Sequence, residues 1–226
     1  MCHRFLLTTD LSELSHRFQI GQVMFPYQPR FRNVPTQPVS VIIAEREGRK
    51  LEEHRWGLVP FWAKDAVNAD SAVIHEKPAY RKMFSNQRCV IPGNGFYVWK
   101  RKGKARQPVR IEMNDKRAFG MAGLYEVWKD ARGGEYRTCT VITSVSNRLV
   151  YEYDERMPAI LNERDIDAWL DPAMNGEPDY LQSLLKPYAP DDMQAYLEPT
   201  RSLPGDEGAE ELLEEPPAKY AMMIKK

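Results

Sequence analysis

The chain has 226 residues, enough for one substantial hydrophobic core, and its 42% hydrophobic and 28% charged residues are typical of a globular domain. Its 32 basic and 32 acidic residues give a formal net charge of zero, which excludes a global basic field for nucleic-acid binding. No apolar run approaches the ~20 residues of a membrane span, and no signal peptide or membrane contact is expected. Three widely spaced cysteines argue against a disulfide framework or a zinc cluster, so we expect a cytoplasmic protein.

The predicted elements of the first third of the chain begin with a strand at residues 4–8. A helix follows over DLSELSHRF, with Asp10 as its cap and Glu13 completing a capping-box pattern. Four prolines between residues 25 and 38 predict an extended loop. A β-hairpin turning at Glu47–Gly48 is predicted from VSVIIAE and KLEEHRWGLV, and a polar-aromatic loop from PFWAKDAVNAD.

The rest of the chain is predicted to be mainly β. Pro78 suits the first turn of a helix through AYRKMF, and several antiparallel strands follow from Arg88 onward, in RCVIP, GFYVWK, PVRIEM, FGMAGLYEVW and YRTCTVITSV. Two short helices are predicted in RDIDAWL and PDYLQSLL. The pattern is typical of a β-rich α+β domain over residues 1–204, followed by an acidic tail, 205–226, that we expect to be flexible. That tail holds six acidic and three basic residues, which leaves +3 on residues 1–204.

The first five residues, MCHRF, contain the most distinctive chemistry. Methionine aminopeptidase removes Met1 when the next side chain is small, and the mature chain would then begin with a cysteine. Its α-amine and thiol have unperturbed pKa values near ~8 and ~8.5, so both are partly nucleophilic at neutral pH. Such a 1,2-aminothiol condenses with an aldehyde to a thiazolidine. From these residues alone, Cys2 is equally well the small first residue of a strand.

Four segments in the right order resemble one protein family. MCHRF resembles MCGRF, and HRWGLVPFWAKD resembles WGLIPxWAKD. EKPAYRKMFSNQRCVIPGNGFYVWK resembles EKPxFRxxFxxxRCLIPAxGFYEWK, and TCTVITSVSNRLVYEYDERMPAIL with DAWL resembles TxIITxxANxxxxxxHxRMPxIL…WL. By these motifs, over roughly residues 1–170, the chain is identified as a member of the SRAP family, the SOS-response-associated peptidases or abasic-site-processing proteins.

The resemblance implies a branched, barrel-like, mainly antiparallel sheet surrounded by helices. It also implies recognition of abasic sites in single-stranded DNA, with Cys2 forming a thiazolidine cross-link to the open sugar and the chain removing its own first residue. No cofactor, metal or obligate protein partner is implied. The residues agree, since they contain no metal-ligand spacing, phosphate-cradling glycine loop or nucleotide fingerprint.

The family's site residues are only partly kept. Asn68 matches the Asn of an N-A-R-[SA]-E segment, where it positions the reacting end, whereas the Arg and Glu of that segment are Asp70 and Ala72. The Glu of GFYEW, an acid/base for opening the sugar ring, is Val98, which transfers no proton. The His before RMP is Asp154, either a carboxylate base or simply a turn residue.

Other side chains are candidates for contact with DNA or with Cys2. Arg4, Arg81 and Arg156 match the family's phosphate-contact positions. Base stacking is assigned to Trp56, Trp62 and Trp99, with core packing as the alternative for each. His3 takes the place of the motif's glycine and is expected on the strand face opposite that of Cys2. Cys89 and Cys139 fall in apolar strand patterns and are expected to be inert core residues.

Three functions remain open at this point. The first is an abasic-site processing protein that cross-links through Cys2, helped by Asn68 and Asp154. The second is a homologue that binds single-stranded DNA without efficient chemistry, because of Val98, Asp70 and Ala72. The third is a cysteine-nucleophile peptidase, which ranks last because no Cys–His–Asn/Asp triad can be assigned.

Overall fold

The computed structural model describes residues 2–58, 66–74, 77–102, 105–129 and 133–198. The predicted stacking residue Trp62 and the predicted tail at 205–226 lie outside these ranges. The described strands are β1 Phe5–Leu7, β2 Ile20–Val23, β3 Arg30–Asn33, β4 Pro38–Glu45, β5 Gly48–Trp56, β6 Asn68–Asp70, β7 Arg88–Gly93, β8 Gly95–Lys102, β9 Ala105–Met113, β10 Phe119–Lys129, β11 Glu135–Val145, β12 Arg156–Pro158, β13 Ile160–Leu161 and β14 Met193–Leu197. The described α-helices are α1 Leu11–Phe18, α2 Pro78–Asn86, α3 Arg148–Tyr151, α4 Glu163–Leu170 and α5 Pro178–Ser183.

Five strands close into a barrel in the order β4, β5, β11, β10, β7. Four of the junctions are antiparallel, and the parallel pairing of β11 with β5 completes the ring, with Thr138 beside Arg55 and Cys139 beside Trp56. Closure removes the unpaired edges that an open sheet exposes. This confirms the predicted α+β fold with a barrel-like, mainly antiparallel sheet.

A second sheet, in the order β14, β9, β8, β1, β3, carries the N-terminus. β1 pairs with β8 in antiparallel register, Phe5 opposite Phe96 and Leu6 opposite Gly95. Just before β1, the backbone N–H of Tyr97 donates to the carbonyl of Arg4 at 3.0 Å. Residues 2–4 are therefore placed beside the middle of β8.

The first helix follows its sequence signals closely. Asp10 Oδ1 accepts a hydrogen bond from the backbone N–H of Glu13 at 3.0 Å, which confirms Asp10 as the cap of α1. At the other end Gln19 adopts a left-handed conformation with φ of 54°. Leu14 and Phe18 point from this helix into the apolar layer outside the barrel.

Two expectations from the sequence were wrong. The proline-rich segment 25–38 is not entirely loop, because Arg30–Asn33 forms β3 against β1. Asn68–Asp70 is also a strand, pairing in parallel with β11. Neither short strand has a clear alternation of its own; each is fixed by backbone hydrogen bonds to a distant partner.

Two apolar clusters form the core. One lies between the sheet and the helices, and it includes Phe18, Phe84 and Trp169. The other receives alternate residues from all five barrel strands and continues to β1, β8 and β9, so that it includes Cys2 and Val98. Within the described ranges, no helix is long and apolar enough to span a membrane.

Cys89 and Cys139 lie fully buried in the second cluster, which confirms them as core residues. Burial raises the pKa of both thiols, and no disulfide joins the three cysteines.

We expect the stability of the protein to fall above about pH 9. In the unfolded chain a thiol loses its proton near pH ~8.5, whereas the folded state keeps the protons of its buried thiols. Each buried thiol therefore lowers the free energy of unfolding by about 1.4 kcal/mol per pH unit above this pH. Urea unfolding at pH 8, 9 and 10 measures this loss. Cys139→Ala should make the decline shallower; a decline of unchanged slope would contradict the assignment.

Candidate active site around Cys2

Cys2 lies at the N-terminal side of β1 with only 1% of its surface exposed. Its Sγ is 3.7 Å from the carbonyl oxygen of Arg4, to which the thiol donates. Burial raises the thiol pKa to about 12; the Arg4 backbone opposes this rise and the Asp154 carboxylate adds to it. At neutral pH the thiol therefore keeps its proton. His3 is exposed whereas Cys2 is buried, and the prediction that the two side chains face opposite ways stays a prediction.

Asn68 connects β6 to this N-terminal segment. Its Nδ2 donates to the backbone carbonyl of Cys2 at 2.9 Å, and the residue is buried. The pairing of Asn68 with Val141 on β11 fixes its backbone in the barrel wall. Asn68 Oδ1 is also buried and accepts no hydrogen bond from the described residues. The amide thus holds the Cys2 backbone with one end and presents an open acceptor with the other.

Asp154 lies in the turn between α3 and β12. Its Oδ1 accepts from the backbone N–H of Arg156 at 3.1 Å, and its own N–H donates to Val150 at 3.0 Å. These contacts are those of a turn residue, yet its charge also contributes to the raised pKa of the Cys2 thiol. Lys100 Nζ lies 5.9 Å from the centre of the Tyr153 ring, so this turn meets the outer half of β8.

Val98 occupies the centre of β8 opposite Val109 and is 1% exposed. It belongs to the same apolar cluster as Cys2. A methyl-bearing side chain here excludes water but provides no group that exchanges a proton. The site consequently combines the Cys2 thiol and the Asn68 amide with an apolar side chain at this position.

Arg156 and Asp70 form an ion pair across the end of β11, with Nη2 to Oδ1 at 2.7 Å. Arg156 also donates through Nε to Thr143 Oγ1 at 3.1 Å and through Nη2 to the Thr143 carbonyl. Asp70 in turn accepts from the backbone N–H of Ala72 at 2.9 Å. Thr143 was not singled out from the sequence, because its part depends on its lying between β6 and β12.

The remaining predicted DNA contacts lie in very different surroundings. Trp56 is fully buried, donates through Nε1 to the Val67 carbonyl at 2.8 Å, and packs on Phe5 with ring centroids 5.2 Å apart. Its assignment to base stacking was wrong, because a side chain that fills the barrel presents no face to a base. Trp99 is partly buried against Leu6 and keeps some exposed surface.

Arg4 and Arg81, the other two arginines predicted to contact phosphate, differ in their exposure. Arg4 is buried, with its guanidinium 4.9 Å from the centre of the Tyr97 ring, and its assignment to a phosphate contact stays a prediction. Arg81 is exposed on α2, where its assignment stays a prediction. Among the described residues, no group of three or more His, Cys, Asp or Glu side chains is placed to hold a metal ion.

The fold and the site define a class: a small β-barrel protein whose candidate reactive group is a cysteine at position 2, with its backbone carbonyl held by an asparagine. A profile of the SOS response associated peptidase (SRAP) family matches residues 1–200. The chain belongs to the SRAP family.

Individual relatives agree with this assignment. The chain is 40% identical over 205 residues to the abasic site processing protein YoqW of Bacillus subtilis, covering 87% of this chain and 91% of the relative. It is 30% identical over 182 residues to the abasic site processing protein HMCES of Xenopus tropicalis, covering 64% and 54%. A crystal structure of a Bacteroides thetaiotaomicron protein superposes with a TM-score of 0.76 at 27% identity, covering 88% and 93%.

Proposed function

We propose that this protein binds single-stranded DNA at abasic sites and forms a thiazolidine cross-link through Cys2 once Met1 has been removed. Membership of a family whose relatives are named abasic site processing proteins supports the substrate. The observation that carries the chemistry is the hydrogen bond from Asn68 to the Cys2 carbonyl, because it fixes the residue that would bear the amine.

The reaction needs three steps. Hydrolysis of the Met1–Cys2 peptide bond consumes one water, releases methionine and leaves the Cys2 α-amine. That amine attacks the aldehyde carbon of the ring-opened abasic sugar, and loss of water gives an imine. The Cys2 sulfur then adds to the imine carbon while the thiol proton passes to the nitrogen, which closes the five-membered ring. No oxidant, metal or cofactor takes part.

The raised thiol pKa favours the amine as the first nucleophile. At neutral pH the buried thiol is protonated, whereas an unperturbed α-amine with a pKa near ~8 is partly neutral. The amine therefore attacks first, and sulfur adds to the more electrophilic imine. Asn68 Oδ1, the open acceptor beside this segment, provides a group that can receive a hydrogen bond from the new terminus.

The test is a denaturing gel of the purified protein incubated with a single-stranded oligonucleotide that carries one abasic site. We expect a slow-migrating covalent band for the native chain, and none for Cys2→Ala or for an oligonucleotide without the lesion. Intact-mass measurement should show loss of Met1. Retention of Met1, or absence of a band that depends on Cys2, would each refute the cross-linking proposal.

DNA binding without efficient chemistry is the second candidate, and the buried Val98 favours it. It predicts affinity for single-stranded DNA that falls steeply with salt while the covalent band is missing. A cysteine peptidase acting on other chains ranks third, because among the described residues the Cys2 thiol donates to a carbonyl and not to a histidine. It would require amide hydrolysis that Cys2→Ala abolishes.

A further inference from the structure

The ion pair between Asp70 and Arg156 links β6, the strand of Asn68, to β12, the strand that follows Asp154. Asp70 follows Asn68 by two residues on β6, and Arg156 follows Asp154 by two residues at the start of β12. Both strands pair with β11, which brings the two side chains together although they are 86 residues apart. The pair therefore joins the two segments that supply candidate groups to the site.

Asp70 Oδ1 accepts hydrogen bonds from two donors. One donor is Arg156 Nη2 at 2.7 Å, and another is the backbone N–H of Ala72 at 2.9 Å. The Ala72 bond is the cap that Asp70 gives to the short 3₁₀ turn Ser71–Val73, whereas the Arg156 guanidinium is a donor that proteins also use for phosphate oxygens. The Asp70 carboxylate thus occupies a position suited to a phosphate group.

The pair is also accessible. The Asp70 side chain is 37% exposed and that of Arg156 is 20% exposed. Ion pairs near solvent contribute little to stability and are screened by salt, so an incoming anion can replace one partner. Arg156 does not depend on Asp70 for its position, since it also donates to the side chain and the carbonyl of Thr143.

We propose that Asp70 is an internal competitor for the nucleic-acid phosphate next to the reacting sugar, and that it sets the DNA affinity of the site by occupying Arg156. The proposal rests on the proposed function and assigns a residue that determines affinity within it. DNA binds by displacing the carboxylate from Arg156 Nη2, while Thr143 keeps the guanidinium in place. Asp70 then points away from the bound strand.

The experiment measures binding of a fluorescein-labelled oligothymidylate without a lesion, by anisotropy over a salt series. Asp70→Asn keeps an acceptor for the Ala72 N–H and removes the charge. We expect it to tighten binding about threefold to tenfold at low salt, and to steepen the slope of log affinity against log salt by about 0.7, the value of one more phosphate contact on single strands.

Two controls isolate the mechanism. In an Arg156→Gln background the gain from Asp70→Asn should fall below about twofold, because no guanidinium remains to be released. The second control is Asp167→Asn, which removes one negative charge from a different ion pair. Asp167 pairs with Arg49, which lies at the opposite end of β5 from Trp56, and this variant should change DNA affinity less than about twofold.

Each result decides between the proposals. If the native chain binds DNA and Asp70→Asn binds it no tighter, Asp70 is not a competitor, but DNA binding itself stands. The same conclusion follows if Asp70→Asn raises the affinity equally in the Arg156→Gln background. If only Asp70→Asn binds, the competitor is confirmed and DNA binding by the native chain is refuted. If neither binds at low salt, both proposals fail.

Discussion

Val98→Glu is expected to form the cross-link about 100-fold to 10,000-fold faster than Val98→Gln, the range that a positioned acid/base contributes. The comparison is between two variants because both place a polar side chain of nearly equal size in the same apolar cluster. Only the carboxyl group exchanges a proton. The difference in rate therefore reports proton transfer and not the disturbance of packing.

The position of Val98 explains the expected gain. The neighbouring Tyr97 donates its backbone N–H to the Arg4 carbonyl at 3.0 Å, so Val98 lies beside the residues that lead into β1. Family resemblance assigns an acid/base to this place, where ring opening of the sugar releases the aldehyde. An isolated carboxylate in this apolar surrounding would be expected to have a raised pKa, which favours the protonated form needed for a general acid.

The substitution should also lower stability, because a polar side chain would replace a valine that is 1% exposed. We expect both variants to lose about 2–4 kcal/mol of unfolding free energy, so rates should be compared well below their melting temperatures. Single-turnover gels with a ring-closed abasic oligonucleotide measure the rate. Equal rates for the two variants would contradict a role for an acid at this position.

Arg88→Ala is expected to cost at least about 3 kcal/mol of unfolding free energy, one of the largest losses available to a single residue outside the apolar clusters. Arg88 is buried, and its guanidinium donates four hydrogen bonds to backbone carbonyls. The acceptors share the junction between α2, α4 and the start of β7; they are Trp169, Phe84, Ser85 and Asp171.

The large cost follows from what the alanine leaves behind. The carbonyls of Phe84 and Trp169 would remain buried without their donor, and the contact of the guanidinium with the Trp169 ring, 5.9 Å from its centre, would be lost. Arg88→Lys keeps the charge but not the fork of donors, so we expect an intermediate loss.

Chemical denaturation of these variants gives the measurement. Arg148→Ala is the matched control, because it breaks a solvent-exposed ion pair with Asp191 and should change stability little. Cross-linking by folded Arg88→Ala should be unchanged, since the guanidinium lies between helices and not beside Cys2. A loss for Arg88→Ala no larger than for Arg148→Ala would contradict the role assigned to the four hydrogen bonds.

The elements with strong local patterns were predictable from the sequence. α1 was recognised from Asp10, Glu13 and an apolar face, and the hairpin of β4 and β5 from alternation around a turn at Glu47–Gly48. Each of these features depends on residues close together in the chain. β3 and β6 were not predicted, because each has only three or four residues between prolines or polar side chains. Such segments are too short to show the alternation of apolar and polar residues that indicates a strand.

The sequence by itself determined the family and the residue types at the candidate site, with a cysteine at position 2 and a valine at position 98, since these depend only on residue type and order. Tertiary structure alone decided that Trp56 fills the barrel and that Asp70 holds Arg156. The physical reason is register: Thr143 lies beside Asp70 on one strand and Pro158 on another, and this alignment follows from backbone hydrogen bonds between distant segments. At the candidate site, residue types specify which groups are present, and strand pairing specifies what surrounds them.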